Sequence, residues 1–156
     1  MKSVLISIRP NWCELIASGK KTIEVRKTRP KIETPFKCYI YETNWKDNTY
    51  WKNKHKGKLG KVIGEFVCDR IDEYLCEEYE WGDGDISLEY RIRFVEGMKT
   101  CLEYDEIREY GKEKPLYFWH ISELKIYDEP KELGEFYNLK SEPIKRAYQS
   151  WGYVNV

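Results

Sequence analysis

The sequence predicts an α+β chain built as a small mixed β-barrel, closed or nearly closed, with short flanking helices at its rim. Three observations point there. Short alternating or apolar runs, bounded by Gly, Pro, Asn and Asp, recur along the chain in the manner of strands and turns. Two segments with helical spacing stand between them. Aromatic residues make up 15% of the chain, with 13 Tyr and 6 Trp, enough amphipathic rings to complete a small barrel core or to line a groove that stacks bases. A length of 156 residues suits one domain with a core that needs no metal or disulfide staple. We therefore expect a single unit over 1–156, with a basic aromatic insert at about 44–60 and a C-terminal tail at about 128–156.

The elements follow in order. Val4 to Ile8 is an apolar strand. Pro10, Trp12, Leu15 and Ile16 give helical spacing, so a helix is expected over Asn11 to Ser18, with Pro10 in a first turn where its missing N–H has no partner to lose. Gly19 ends it, being the residue that turns left-handed without steric cost. From Thr22 to Lys27 the alternation is that of a strand: Ile23 and Val25 share one face, Thr22, Glu24 and Arg26 the other. Lys21, in the turn before, is placed to swing onto the Glu24 face. Further strands are expected over Lys37 to Glu42 and Lys61 to Ile71, then a helix or turn near Asp72 to Tyr79. Trp81-Gly82-Asp83-Gly84-Asp85 is a turn cluster, and Ile86 to Phe94 fits strand or helix. A helix over Cys101 to Tyr110 precedes Pro115, and Leu116 to Ile126 reads as a closing strand. The end, Gln149 to Val154, reads as an aromatic-anchored tail that packs back on the domain.

Lys plus Arg and Asp plus Glu are each 27, so bulk charge selects no partner. Neutrality hides two segments of opposite sign. Six lysines (Lys46, Lys52, Lys54, Lys56, Lys58, Lys61) face only Asp47 between Asn44 and Lys61, whereas nine carboxylates face only Arg70 between Asp69 and Glu89. Five dispersed cysteines without a C-x-x-C pair point to reduced thiols rather than a disulfide framework or zinc site. His55 and His120 have no cysteine or carboxylate at ligand spacing, so neither metal nor cofactor is expected. Met1-Lys2-Ser3-Val4 leads directly into a strand with no long apolar run, so the expectation is a cytoplasmic chain without a membrane anchor.

The densest chemistry is Gly19-Lys20-Lys21-Thr22-Ile23-Glu24-Val25-Arg26. A carboxylate flanked by two cations is held ionised and oriented, with Arg9 as a possible fourth member at the end of the preceding strand. Glu24 then suits a base edge or 2′-hydroxyl, and Lys21 and Arg26 suit phosphate. An ordinary strand with a solvated ion pair has the same pattern. Gly19-x-Lys21-x-x-Glu24-x-Arg26 matches, residue for residue, the G-x-K-x-x-E-x-R motif of the ASCH domain, a PUA-like family. Arg9-Pro10-x-Trp12 and the strand before it stand in the matching context, and the resemblance extends over nearly the whole chain. It implies the PUA-like barrel and an RNA-binding role. A family member that deacylates acetylcytidine carries threonine, implicated as its nucleophile, where this chain has Glu24. Thr22 stands two residues away.

Two further constellations are candidates. The insert interleaves Lys52, Lys54 and Lys56 with Trp45, Tyr50 and Trp51, joining charge that attracts phosphate to rings on which bases stack. A solvated loop anchored by its rings fits the same composition. In the closing strand Trp119 and His120 stand to border a cleft, since a tryptophan followed by polar groups there resembles ASCH-like proteins; a core tryptophan is the plainer reading. The leading expectation is a binding module for RNA or a nucleotide-like ligand. An enzyme hydrolysing a modified nucleoside or RNA, with Lys21 and Glu24 as acid/base groups, is the alternative. A protein-interaction domain using the acidic stretch is a third.

Overall fold

A computed structural model describes residues 1–44, 49–94 and 99–156. The chain runs β1 (Lys2–Ile8), α1 (Pro10–Ala17), β2 (Ile23–Arg26), β3 (Phe36–Glu42), α2 (Thr49–Lys54), β4 (Lys61–Tyr74), β5 (Cys76–Glu80), β6 (Ile86–Tyr90), α3 (Tyr104–Gly111), β7 (Leu116–Lys131) and β8 (Trp151–Asn155). Six strands form one mixed sheet in the order β2-β7-β4-β3-β1-β8, and β5 pairs only with β6. β1 and β3 run parallel, with α1 and β2 between them in the chain, while the other neighbours are antiparallel.

The alternation of β1 fixes its two faces. Val4, Ile6 and Ile8 join Cys38, Ile40, Phe66, Cys68 and Trp119 in one core, which Cys13 and Ile16 of α1 cover. Leu5 faces the other way, into a second core with Tyr39, Val62 and Val154, covered by Phe136 and Ile144 of the C-terminal segment. Ile23 and Val25 of β2 enter a third core with Leu116, Phe118, Tyr90 and Ile107 of α3. All five cysteines are free thiols, three of them buried.

The sheet is not closed into the barrel that the sequence predicts. β2 and β8 are its edges, and no ladder joins them. Side chains bridge the gap instead: Arg26 Nη1 donates to Ser150 O and Oγ at 3.3 and 3.1 Å, and the Trp151 indole N–H donates to Thr28 Oγ1 at 2.9 Å. The outward Ile23 N–H of the four-residue β2 is already taken by Lys99 O at 3.1 Å.

Other expectations change with long-range pairing. Asp72 to Tyr79, expected as helix or turn, is strand. β4 stays paired with β7 as far as Tyr74 opposite Leu116, and Cys76–Glu80 then forms a hairpin with β6. Its turn is set by Asp83 Oδ1, which accepts from Asp85 N–H at 3.0 Å, and by Gly84 at φ +91. Leu116 to Ile126 is no closing strand, since β7 lies inside the sheet between β2 and β4. The tail contributes the edge strand β8, paired with β1. Residues 45–48 of the insert, including Trp45 and Lys46, and residues 95–98 lie outside the described residues.

Candidate functional site

Gly19, at φ +80, turns the chain out of α1, with its own N–H on Ile16 O and Lys21 N–H on Leu15 O, both 3.0 Å. Lys21 thus lies before the strand begins and is free of strand parity. Its ammonium comes within 3.5 Å of Glu24 Oε1, donates to Thr100 O, and sits 5.0 Å from the Trp12 ring centre. The other Glu24 oxygen accepts from Arg26 Nη2 at 3.0 Å, and that guanidinium also donates to Ser7 O at 2.8 Å.

The three motif charges therefore converge, but they are not solvent-accessible as the alternation suggests: Lys21 is 1% and Glu24 5% exposed. Strand parity holds, with Ile23 and Val25 facing away from Glu24, yet both faces of β2 are covered. Burial pushes the Glu24 carboxyl up, and the charges of Arg26 and then Lys21 outweigh it, so the group is held below its ordinary value. Burial lowers the Lys21 ammonium, and Glu24 opposes this without cancelling it.

Above the triad opens a cleft of about 540 Å³ along the gap between β2 and β1, within the range of small-ligand sites. Arg9, an exposed residue, and Trp12 stand on one side, Glu106 and Tyr110 of α3 on another, with Gln149 contributed from before β8. Lys27 lies 4.7 Å from the Tyr110 ring centre. Trp12 belongs to the quoted Arg9-Pro10-x-Trp12 context. Tyr110 and Gln149 carry no local signal, because only the fold brings them to the motif. A concavity of about 460 Å³ beside the C-terminal segment, near Asn138 and Tyr148, contains no buried carboxylate or cation.

The remaining candidates lie elsewhere. Trp119 is fully buried, edge-on to Phe36 and Trp151, and its N–H donates to Thr28 O at 3.3 Å. His120 pairs with Ile23 across the ladder and so shares the face opposite Glu24, where its Nε2 meets Asp72 Oδ2 at 2.8 Å and Arg70 Nη2 at 3.2 Å. Lys52, Lys54 and Lys56 are exposed, and no described insert residue lines the cleft. Lys54 pairs with Glu14 of α1 at 2.7 Å. The Trp51 ring packs on His55, whose Nδ1 lies 2.6 Å from the fully buried Glu42. Those contacts dock α2 against α1 and the end of β3. Among the described residues no group of three or more His, Cys, Asp or Glu is placed to hold a metal ion, and no helix is long and apolar enough to cross a membrane.

The ASCH domain family model matches residues 6–146. The chain belongs to the ASCH domain family. Its fold is similar to crystal structures of the ASCH protein of Zymomonas mobilis. A serine-to-alanine variant of that protein aligns at a TM-score of 0.65 and 17% identity, over 98% of this chain and 88% of that one. The structure given without a substitution aligns at 0.58 and 18%, over 98% and 87%. No curated protein matches the sequence.

Proposed function

We propose that this ASCH chain binds single-stranded RNA and seats one nucleotide in the seam cleft. The observation that carries the reading is the cleft itself: two aromatic side chains, Trp12 and Tyr110, on its walls, a cation–carboxylate–cation triad fixed at its base and Arg9 at its rim. Base stacking on such rings and phosphate attraction by such cations are the two terms that bind single strands. The family's general link to RNA binding supports the reading. In this account Lys21, Glu24 and Arg26 shape the cleft rather than grip the ligand, because their donors and acceptors are largely spent on one another and on Thr100, Ser7 and Ser150. Lys52 and Lys56 draw the strand in from a distance.

Titrating the protein with labelled single-stranded RNA at several salt concentrations tests the proposal. Tyr110→Ala is expected to lower affinity by about 1–3 kcal/mol through lost stacking, with the salt slope unchanged. Arg9→Ala is expected to flatten the slope by about 0.7 per lost phosphate contact. Wild-type affinity in both variants contradicts the assignment of the cleft.

One observation favours a hydrolase as a second reading: a lysine with a lowered pKa stands beside an ionised carboxylate at the cleft base. Turnover of acylated cytidine or RNA that disappears in Lys21→Met supports it, and absence of turnover in the parent protein removes it.

A further inference from the structure

β2 is an edge strand, and its outer side turns main-chain groups away from the sheet. Ile121 N–H donates to Thr22 O at 2.9 Å, and the register places Glu24 opposite Trp119 and Val25 opposite Phe118. In an antiparallel pair only alternate residues exchange ladder bonds. The Thr22 C=O and the main-chain groups of Glu24 and Arg26 therefore turn toward β7, while Ile23 and Val25 turn theirs away from the sheet. The Ile23 N–H, turned outward in this phase, shares Lys99 O with the Thr22 N–H, at 3.1 and 2.9 Å.

Val25 is left at the cleft. Its side chain is buried with Phe118 and Ile107 on the opposite face, so it is the main chain of Val25 that meets the cleft it lines. The N–H donates to Glu24 Oε1 in a long contact of 3.3 Å. The C=O, in the same phase, turns away from the β7 ladder. An N–H and a C=O of one extended residue point the same way, side by side, and a partner must offer an adjacent acceptor and donor to satisfy both.

We propose that the cleft reads the Watson–Crick edge of one unpaired nucleobase through the N–H and C=O of Val25, with Trp12 and Tyr110 beside the ring. The inference rests on the RNA reading above. Each nucleobase carries an adjacent donor and acceptor on that edge, and a paired base has already spent both. Uracil, for instance, presents its O4 to the Val25 N–H and its N3–H to the Val25 C=O. An added peptide strand fits less well, because strand addition needs a run of free main-chain groups and the Ile23 N–H is occupied.

The probes are modified rather than the protein, since replacing Val25 also disturbs the packed core. Fluorescence anisotropy is measured on the full chain with short single-stranded oligouridine and with equal lengths of 5-methyluridine, N3-methyluridine and duplex RNA. We expect 5-methyluridine to bind like oligouridine, because its methyl lies off the reading edge. N3-methyluridine, which removes the donor and blocks the edge, is expected to bind at least about tenfold more weakly, the scale of leaving buried polar groups unmet. Duplex RNA is expected to fall in the same weak class. Equal binding of uridine and N3-methyluridine, or of single strand and duplex, overturns the edge-reading inference and leaves RNA binding standing. No binding to any probe overturns both.

Discussion

Glu24 neutralises a Lys21 ammonium with almost no access to water and a half-buried Arg26 guanidinium, which sets what its removal does. Glu24→Gln keeps the shape but leaves Lys21 and Arg26 uncompensated, and breaking a buried ion network from one side costs about 3–5 kcal/mol. Urea unfolding at neutral pH reads that loss directly. The pH dependence follows from the lowered pKa of Glu24. A carboxylate depressed in the folded state stabilises it fully above its unfolded pKa of about 4.3, and the contribution disappears as pH falls through the folded value. The parent protein is thus expected to lose stability on its acid limb, and Glu24→Gln to lose less there. The convergence of the triad was legible in the spacing Gly19-x-Lys21-x-x-Glu24-x-Arg26, because a turn followed by strand alternation leaves few other arrangements. Its burial was not, because Thr100, Ser7 and Ser150 reach the triad from segments that no local pattern connects to it.

At the scale of elements, the insert separates into parts with different work. Lys54 is tied to Glu14, and His55 to Glu42, so they hold α2 against α1, whereas Lys52 and Lys56 make no hydrogen bond or ion pair among the described residues. Lys52→Ala with Lys56→Ala is expected to weaken binding to all RNAs alike and to flatten the salt slope by about 0.7 per lost contact, while the far-ultraviolet spectrum and stability stay as they are. An unchanged slope in that double variant would make the insert a docked surface element with no part in binding. Alternation revealed β2, whose Ile23 and Val25 face a core, and apolar runs revealed β1 and β3, which have a core on each face. The β5–β6 hairpin escaped the same reading: Glu77, Glu78, Glu80 and Glu89 disfavour strand by propensity, and only pairing across the Gly82 to Asp85 turn makes them one. The final strand was hidden for a related reason, since five residues after a Pro-containing stretch acquire their meaning from β1, at the far end of the sequence.

At the scale of the whole molecule, the open seam is the part of the fold on which the proposed binding rests. A closed barrel would bond the outward groups of β2 into a ladder and leave nothing there to read a ligand. With β2 left as an edge, Val25 lines a cleft, and Arg26 and Trp151 hold the two edges in place from either side. The sequence pointed to the barrel because its strands are barrel strands in number and pattern. The gap was not legible, since it depends on where Lys99 and α3 come to rest against β2. The central claim is that this seam is where RNA binds. Titration of the ¹⁵N-labelled protein with short single-stranded RNA, followed by amide and indole shifts, tests it most directly. The account predicts saturable shifts at Arg9, Val25, Tyr110, Gln149 and the Trp12 indole. Shifts confined to α2 or to the acidic hairpin, with the seam unmoved, would contradict it.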